Sequence, residues 1–148
     1  MAEKVAEFVE LQSAGDRLPQ ACARTALHYE RGETVSVYAP DPADAAALDE
    51  VLWTFRQNSF IPHVRLKQAT EPLIEPVLIC GDEDEDGGAA AGADVLIVLS
   101  ADQLPKWFAA VPRVLDFAEV YDEKRSQAGR RRYAALKQAG YRMRFIKP

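Results

Sequence analysis

Histidine, cysteine and glycine-rich phosphate loops are what this sequence has least of. Only His28 and His63 supply imidazoles, and neither falls in an H-E-x-x-H, C-x-x-C or G-x-S-x-G pattern. No hydrolytic triad or zinc centre can be assembled with specificity from the remaining residues. The two cysteines, Cys22 and Cys80, are far apart and each stands beside apolar residues. Buried, reduced thiols are the expectation, not a disulfide or a metal pair. Neither G-x-G-x-x-G nor G-x-x-x-x-G-K-[ST] occurs, and the turn Ser13-Ala14-Gly15-Asp16 has one glycine and places an acid where a phosphate would sit. The sequence thus predicts no catalytic residue, no metal and no cofactor.

A second absence is any run of about 20 apolar residues, and the opening MAEKVAEFVELQSAG has no basic stretch leading into an apolar one. The expectation is a cytoplasmic protein with no membrane contact. Hydrophobic residues make up 48% of the chain and charged ones 28%, enough apolar surface to fold and too little net charge to stay disordered. No repeat or low-complexity linker divides the 148 residues, so residues 1–148 read as one domain.

Acidic residues are missing from the last part of the chain. All 23 Asp and Glu lie before Lys124, and the residues from Lys124 onward carry nine Lys and Arg and no acid. The net charge of −5 conceals a cationic tail on an acidic body. An acidic body disfavours wrapping of nucleic acid, which draws on a broad positive surface. A basic tail can still hold a small acidic partner.

What is present alternates strand and helix. Val5 to Leu11 alternates apolar and polar positions imperfectly, with Val5, Phe8, Val9 and Leu11 set among glutamates, a pattern consistent with a first strand. Pro19 to Gly32 has helical spacing with a glycine stop, and Val35 to Tyr38 is a short buried strand. Asp41 caps a helix opened by Pro42, and Ala45, Leu48, Leu52 and Phe55 form its apolar stripe. Pro76–Cys80 and Asp94–Leu99 are continuous apolar runs, which strands covered on both faces show. Between them GDEDEDGGAAAG reads as a solvated loop, because its five consecutive acids repel and lack the spacing of a calcium loop. His63, after Ile61-Pro62, reads as a turn residue. Pro105 to Ala110 is a helical turn, Val114 to Phe117 a strand, Glu123 to Ala139 a long helix stopped by Gly140, and Tyr141 to Ile146 a last strand. This order predicts an α/β fold: a mostly parallel open sheet with helices on both faces, like a mononucleotide-binding domain without its phosphate loop.

In the last helix Arg130, Tyr133, Ala134 and Lys137 stand at i, i+3, i+4 and i+7 and share a face. Two cations there can meet carboxylates, and the Tyr133 ring can wall an apolar pocket. A solvated basic helix with Tyr133 in the core is the competing reading.

Two segments carry a family resemblance. Leu48-Asp49-Glu50-Val51-Leu52-Trp53, followed by Ser59-Phe60-Ile61-Pro62-His63, resembles the L-D-x-x-L-W … S-F-[LIV]-P-H signature of the chi subunit of bacterial DNA polymerase III. Pro76-Val77-Leu78-Ile79, Asp94-Val95-Leu96-Ile97 and Arg130-Arg131-Arg132-Tyr133 … Ala139-Gly140-Tyr141 resemble its later segments, so the likeness spans nearly the whole chain. The chain departs from the pattern at Ala134, where a basic residue is common, and in a loop one residue longer before the last helix.

The resemblance implies a non-catalytic replisome adaptor linking two partners. One is the acidic, Pro-Phe-ending C-terminal tail of single-stranded-DNA-binding protein, held by Val120, Lys124, Arg125, Arg130, Tyr133 and Lys137. The other is the psi subunit, which joins the clamp-loader complex and is held by Trp53, Phe60, Pro62 and His63. Packing of the helix onto the sheet is the alternative role for Trp53 and Phe60. A helicase is a further candidate for that patch, DNA contact is indirect, and direct single-strand binding by the basic tail is the alternative function.

Overall fold

Residues 3–54, 61–66, 75–82, 86–99 and 101–147 are described by a computed structural model. The apolar runs become strands: β1 (Val5–Leu11), β2 (Val35–Tyr38), β3 (His63–Arg65), β4 (Val77–Cys80), β5 (Val95–Val98), β6 (Arg113–Glu119) and β7 (Arg142–Ile146). They form one sheet in the order β3-β4-β2-β5-β6-β1-β7, with every pair parallel. β2, β4 and β5 are buried at every residue, a pattern that needs cover on both faces. Three helices, α1 (Arg17–Glu30), α2 (Pro42–Thr54) and α3 (Glu123–Gln138), supply much of it.

Successive strand residues point to opposite faces, so the strands from β4 across the sheet to β7 feed two cores. On one face Val9, Val37, Ile97 and Phe117 pack with Ala21, Cys22 and Ala26 of α1 and with Leu48 and Leu52 of α2. On the other, Phe8, Leu96, Val98 and Val114 pack with Leu136 of α3, Trp107 and Tyr141. The predicted layering is found, with a sheet that is parallel throughout. Both cysteines are free and buried, and burial pushes the Cys22 thiol up to about 11. Among the described residues no helix is long and apolar enough to cross a membrane.

The structure departs from the sequence reading in several places. β1 does not alternate between core and solvent. Glu7 is buried and accepts a hydrogen bond from Arg113 Nη1 at 3.2 Å, so the carboxylate is paired inside. His63 is no turn residue: it begins β3, an edge strand of three residues, too short to show a period. The alanine end of the predicted solvated loop packs. Gly88–Gly92 is a short 3-10 turn whose Ala90 is buried and accepts a hydrogen bond from Ser36 Oγ at 2.8 Å. Gly87 before it has φ +86°, and a Cβ there would lie 2.5 Å from Trp107 Cγ, so only glycine fits.

The cationic tail is not all at the surface. Arg132 is 3% exposed and grips Asp116, 1% exposed, with Nε to Oδ2 at 2.7 Å and Nη2 to Oδ1 at 3.1 Å. Its Nη1 donates to the Ala101 carbonyl. Burial pushes the Asp116 carboxyl up, and the guanidinium beside it pulls it back down. α3 is thereby tied to β6 and to the segment after β5.

Asp116→Ala leaves the guanidinium buried without its counter-charge and is expected to lower unfolding free energy by about 3–5 kcal/mol in urea denaturation. Tyr141 supplies a pH test. Its hydroxyl lies 2.6 Å from the Val111 carbonyl and 2.9 Å from that of Phe108, and burial pushes the phenol up to about 12. The fold holds the neutral phenol. Its contribution is whole below the unfolded value of ~10 and is lost as pH climbs to about 12. Stability should fall across that window, and should fall less steeply in Tyr141→Phe.

Candidate functional site on the last helix

α3 begins where Asp122 Oδ1 accepts the Arg125 N–H at 3.1 Å and ends before Gly140, at φ +94°. Ala128, Gly129, Arg132 and Leu136 are its buried residues. On one flank of that stripe, between the helix and β6, β1 and β7, lies a groove of about 400 Å³. Phe8, Ala118, Val120, Gly129, Tyr133 and Phe145 give it apolar walls, and Arg130, Ser126 and Glu119 complete its lining.

Three rings shape this groove. Tyr133 stacks on Phe145 at 5.7 Å between centroids and 25° between planes, and lies 5.4 Å from Phe8, which is 6.0 Å from Phe145. Val120 is 53% and Phe145 64% exposed, so the lining is open to a ligand rather than closed as core. Arg130 is exposed at the edge. Apolar walls beside a guanidinium can hold an aromatic side chain together with a carboxylate.

Of the tail-binding residues named from sequence, the fold brings Val120, Arg130 and Tyr133 to this groove. Lys124 and Arg125 line a neighbouring polar cavity of about 450 Å³ above the C-terminal ends of β2, β5 and β6, with Asp41, Asp102, Asp122 and Arg132. Glu119 lines both. Its buried carboxylate accepts from the Tyr121 hydroxyl at 2.5 Å and from Arg125 Nη1 at 3.4 Å, and burial and this contact push the Tyr121 phenol up. Lys137 is exposed farther along α3 and lines neither cavity. Phe8 and Phe145 were not singled out from sequence. The available signal was Phe145 among arginines on the last strand.

At the far edge of the sheet Trp53, in the last turn of α2, is 56% exposed and is not core. Its ring meets that of His63 edge-on at 5.1 Å. His63 is buried, with Nδ1 2.7 Å from the Ile61 carbonyl and Nε2 2.9 Å from Asp49 Oδ1. The imidazole is thus a fixed support, and Trp53 is the part offered to solvent. Pro62 is half-buried just before β3, and Phe60 lies outside the described residues. Among the described residues no three His, Cys, Asp or Glu side chains are grouped to hold a metal ion.

Comparison with known proteins gives this geometry a family. The fold is shared with the C-terminal domain of Dbp5 from S. cerevisiae, solved with Gle1 and IP6, at a TM-score of 0.58 over 99% of this chain and 90% of that one. Their sequences are 9% identical, so that likeness concerns the fold alone. The chain is 28% identical to DNA polymerase III subunit chi of Escherichia coli (strain K12) over 122 residues, 82% of this chain and 79% of the relative. Residues 4–144 match the family described as DNA polymerase III chi subunit, HolC. The chain belongs to the DNA polymerase III chi subunit family.

Proposed function

We propose that this chi-family subunit is a non-catalytic adaptor of the replicative polymerase in the cytoplasm. Its α3 groove takes the acidic C-terminal tail of single-stranded-DNA-binding protein, and its Trp53 face takes a psi subunit that leads to the clamp loader. The observation carrying the first half is the groove itself: Tyr133, Phe8 and Phe145 form its walls and Arg130 stands at its rim. A terminal aromatic side chain enters between the rings while Arg130 meets a carboxylate. Lys124 and Arg125, beyond Glu119, and Lys137, farther along the helix, add positive potential for acids upstream in the tail. The second half rests on Trp53, an aromatic anchor held outward by a buried histidine.

A fluorescent acidic peptide ending in Pro-Phe tests the groove. Binding should weaken as salt rises. Arg130→Ala should cost about 1.5–3 kcal/mol of affinity, the worth of a charge-assisted contact, with an unchanged melting temperature because Arg130 is exposed. Salt-independent binding, or affinity indifferent to Arg130, would count against the assignment.

For the other face, Trp53→Ala should weaken capture of the psi subunit by about 2 kcal/mol or more in calorimetry and leave the acidic peptide's affinity unchanged. Loss of both interactions together would mean that the two surfaces are not independent.

A further inference from the structure

β7 closes one side of the sheet, and no described strand lies beyond it. Arg142 donates its N–H to the Lys4 carbonyl at 2.8 Å, and the parallel register pairs Arg142 with Val5, Arg144 with Glu7 and Ile146 with Val9. In a parallel ladder, alternate residues turn both backbone groups the same way. Arg142, Arg144 and Ile146 therefore bond inward to β1, while Met143 and Phe145 present N–H and C=O to the outer edge. Such an edge is a template for another strand.

We infer that an acidic, extended peptide segment adds to the outer edge of β7 as an eighth strand. This deepens the proposed function and rests on it: the segment is the stretch of the acidic tail that precedes the residue in the α3 groove. Three features select this occupant. Phe145 belongs to both places, since its backbone faces the open edge and its ring lines the groove. A chain leaving the groove meets that edge directly.

Charge selects next. Arg142, Arg144 and Lys147 are exposed, and no acid follows Glu123 in the sequence. Arg142 has one exposed partner, Glu3 Oε1 at 2.9 Å, a solvent-screened contact that an incoming carboxylate can replace. The same arginines discourage a second copy of the chain from pairing here, because two β7 strands side by side would oppose like charges.

Side-chain direction then gives the pattern of the partner. Arg142 and Arg144 point to the α1 face of the sheet, and Met143 and Phe145 to the α3 face. An added strand matches them with acids at alternate positions and apolar residues between.

The experiment uses the full chain and a fluorescent peptide of alternating aspartate and apolar residues ending in Pro-Phe. Two further versions carry a backbone N-methyl group at one of two adjacent positions. Strand addition needs the peptide N–H groups of one parity only, so one methylated peptide should bind about tenfold more weakly and the other nearly as well as the parent. Amide exchange followed by NMR should slow at Met143 and Phe145 on binding and change little at Arg142 and Arg144. If the parent peptide binds, with loss in Arg130→Ala, but both methylated peptides match it and the Met143 and Phe145 amides exchange as before, the strand is overturned and the groove assignment stands. If the parent peptide does not bind, both fall.

Discussion

One buried ion pair sets the rotation of α3, and the groove beside the helix follows from that rotation. Arg132 reaches Asp116 through two nitrogens and the Ala101 carbonyl through a third. A helix turns by about 100° per residue. With Arg132 facing inward, Gly129, Tyr133, Ser126 and Arg130 fall in that order around one flank, which is the flank that lines the groove. Lys124 falls on the other flank, toward the polar cavity. Lys137 shares the flank of Arg130 but stands about 10 Å farther along the axis, since seven residues advance at about 1.5 Å each. The five side chains of α3 expected to act together are therefore divided by helix geometry among a groove wall, a neighbouring cavity and a distant charge, with Val120, before the helix, on the groove.

Such a pair is not chosen for stability alone. Desolvating two charges offsets much of their attraction, and an apolar pair of similar volume would often serve as well. What the pair adds is direction. A guanidinium bonded to three oxygens allows one rotation and one height for the helix, whereas Ala128 and Leu136, also facing inward, would tolerate small slips. A groove made of three rings packed within about 6 Å of each other depends on that accuracy.

Strands and helices were legible in the sequence where burial is uniform or the period is long. The runs around Val77 and Val95 and the capped start at Asp41-Pro42 gave elements within a residue or two of those found. β3 was not legible, because three residues at an edge carry no period and Pro62 looked like the start of a turn. The basic helix was legible as a helix but not in its orientation. Arg130, Arg131 and Arg132 are adjacent and chemically identical, and only the spacing of Arg132 from Ala128 and Leu136 marks it as the inward one. Trp53 shows the opposite limit. Aromatic residues at helical spacing are usually core, and only coordinates reveal that this one stands outside on a buried histidine.

The strand ends of the sheet and the flank of α3 differ in chemical character. In open parallel sheets ligands usually sit above the C-terminal strand ends, where the first helix begins beside a glycine-rich turn. Here Arg17, the first residue of α1, is bonded to Asp44 at 2.8 Å and lies 3.8 Å from Glu119, so protein charges meet one another across that position. Asp41, Asp102 and Asp122 share the cavity above the strand ends with Lys124, Arg125 and Arg132, so charges of both signs meet one another there as well. The flank of α3 has the opposite character: apolar rings, an exposed guanidinium and an open strand edge carrying two arginines. The space above the strand ends is thus occupied by the protein's own paired charges, and the apolar, cationic surface lies along the edge.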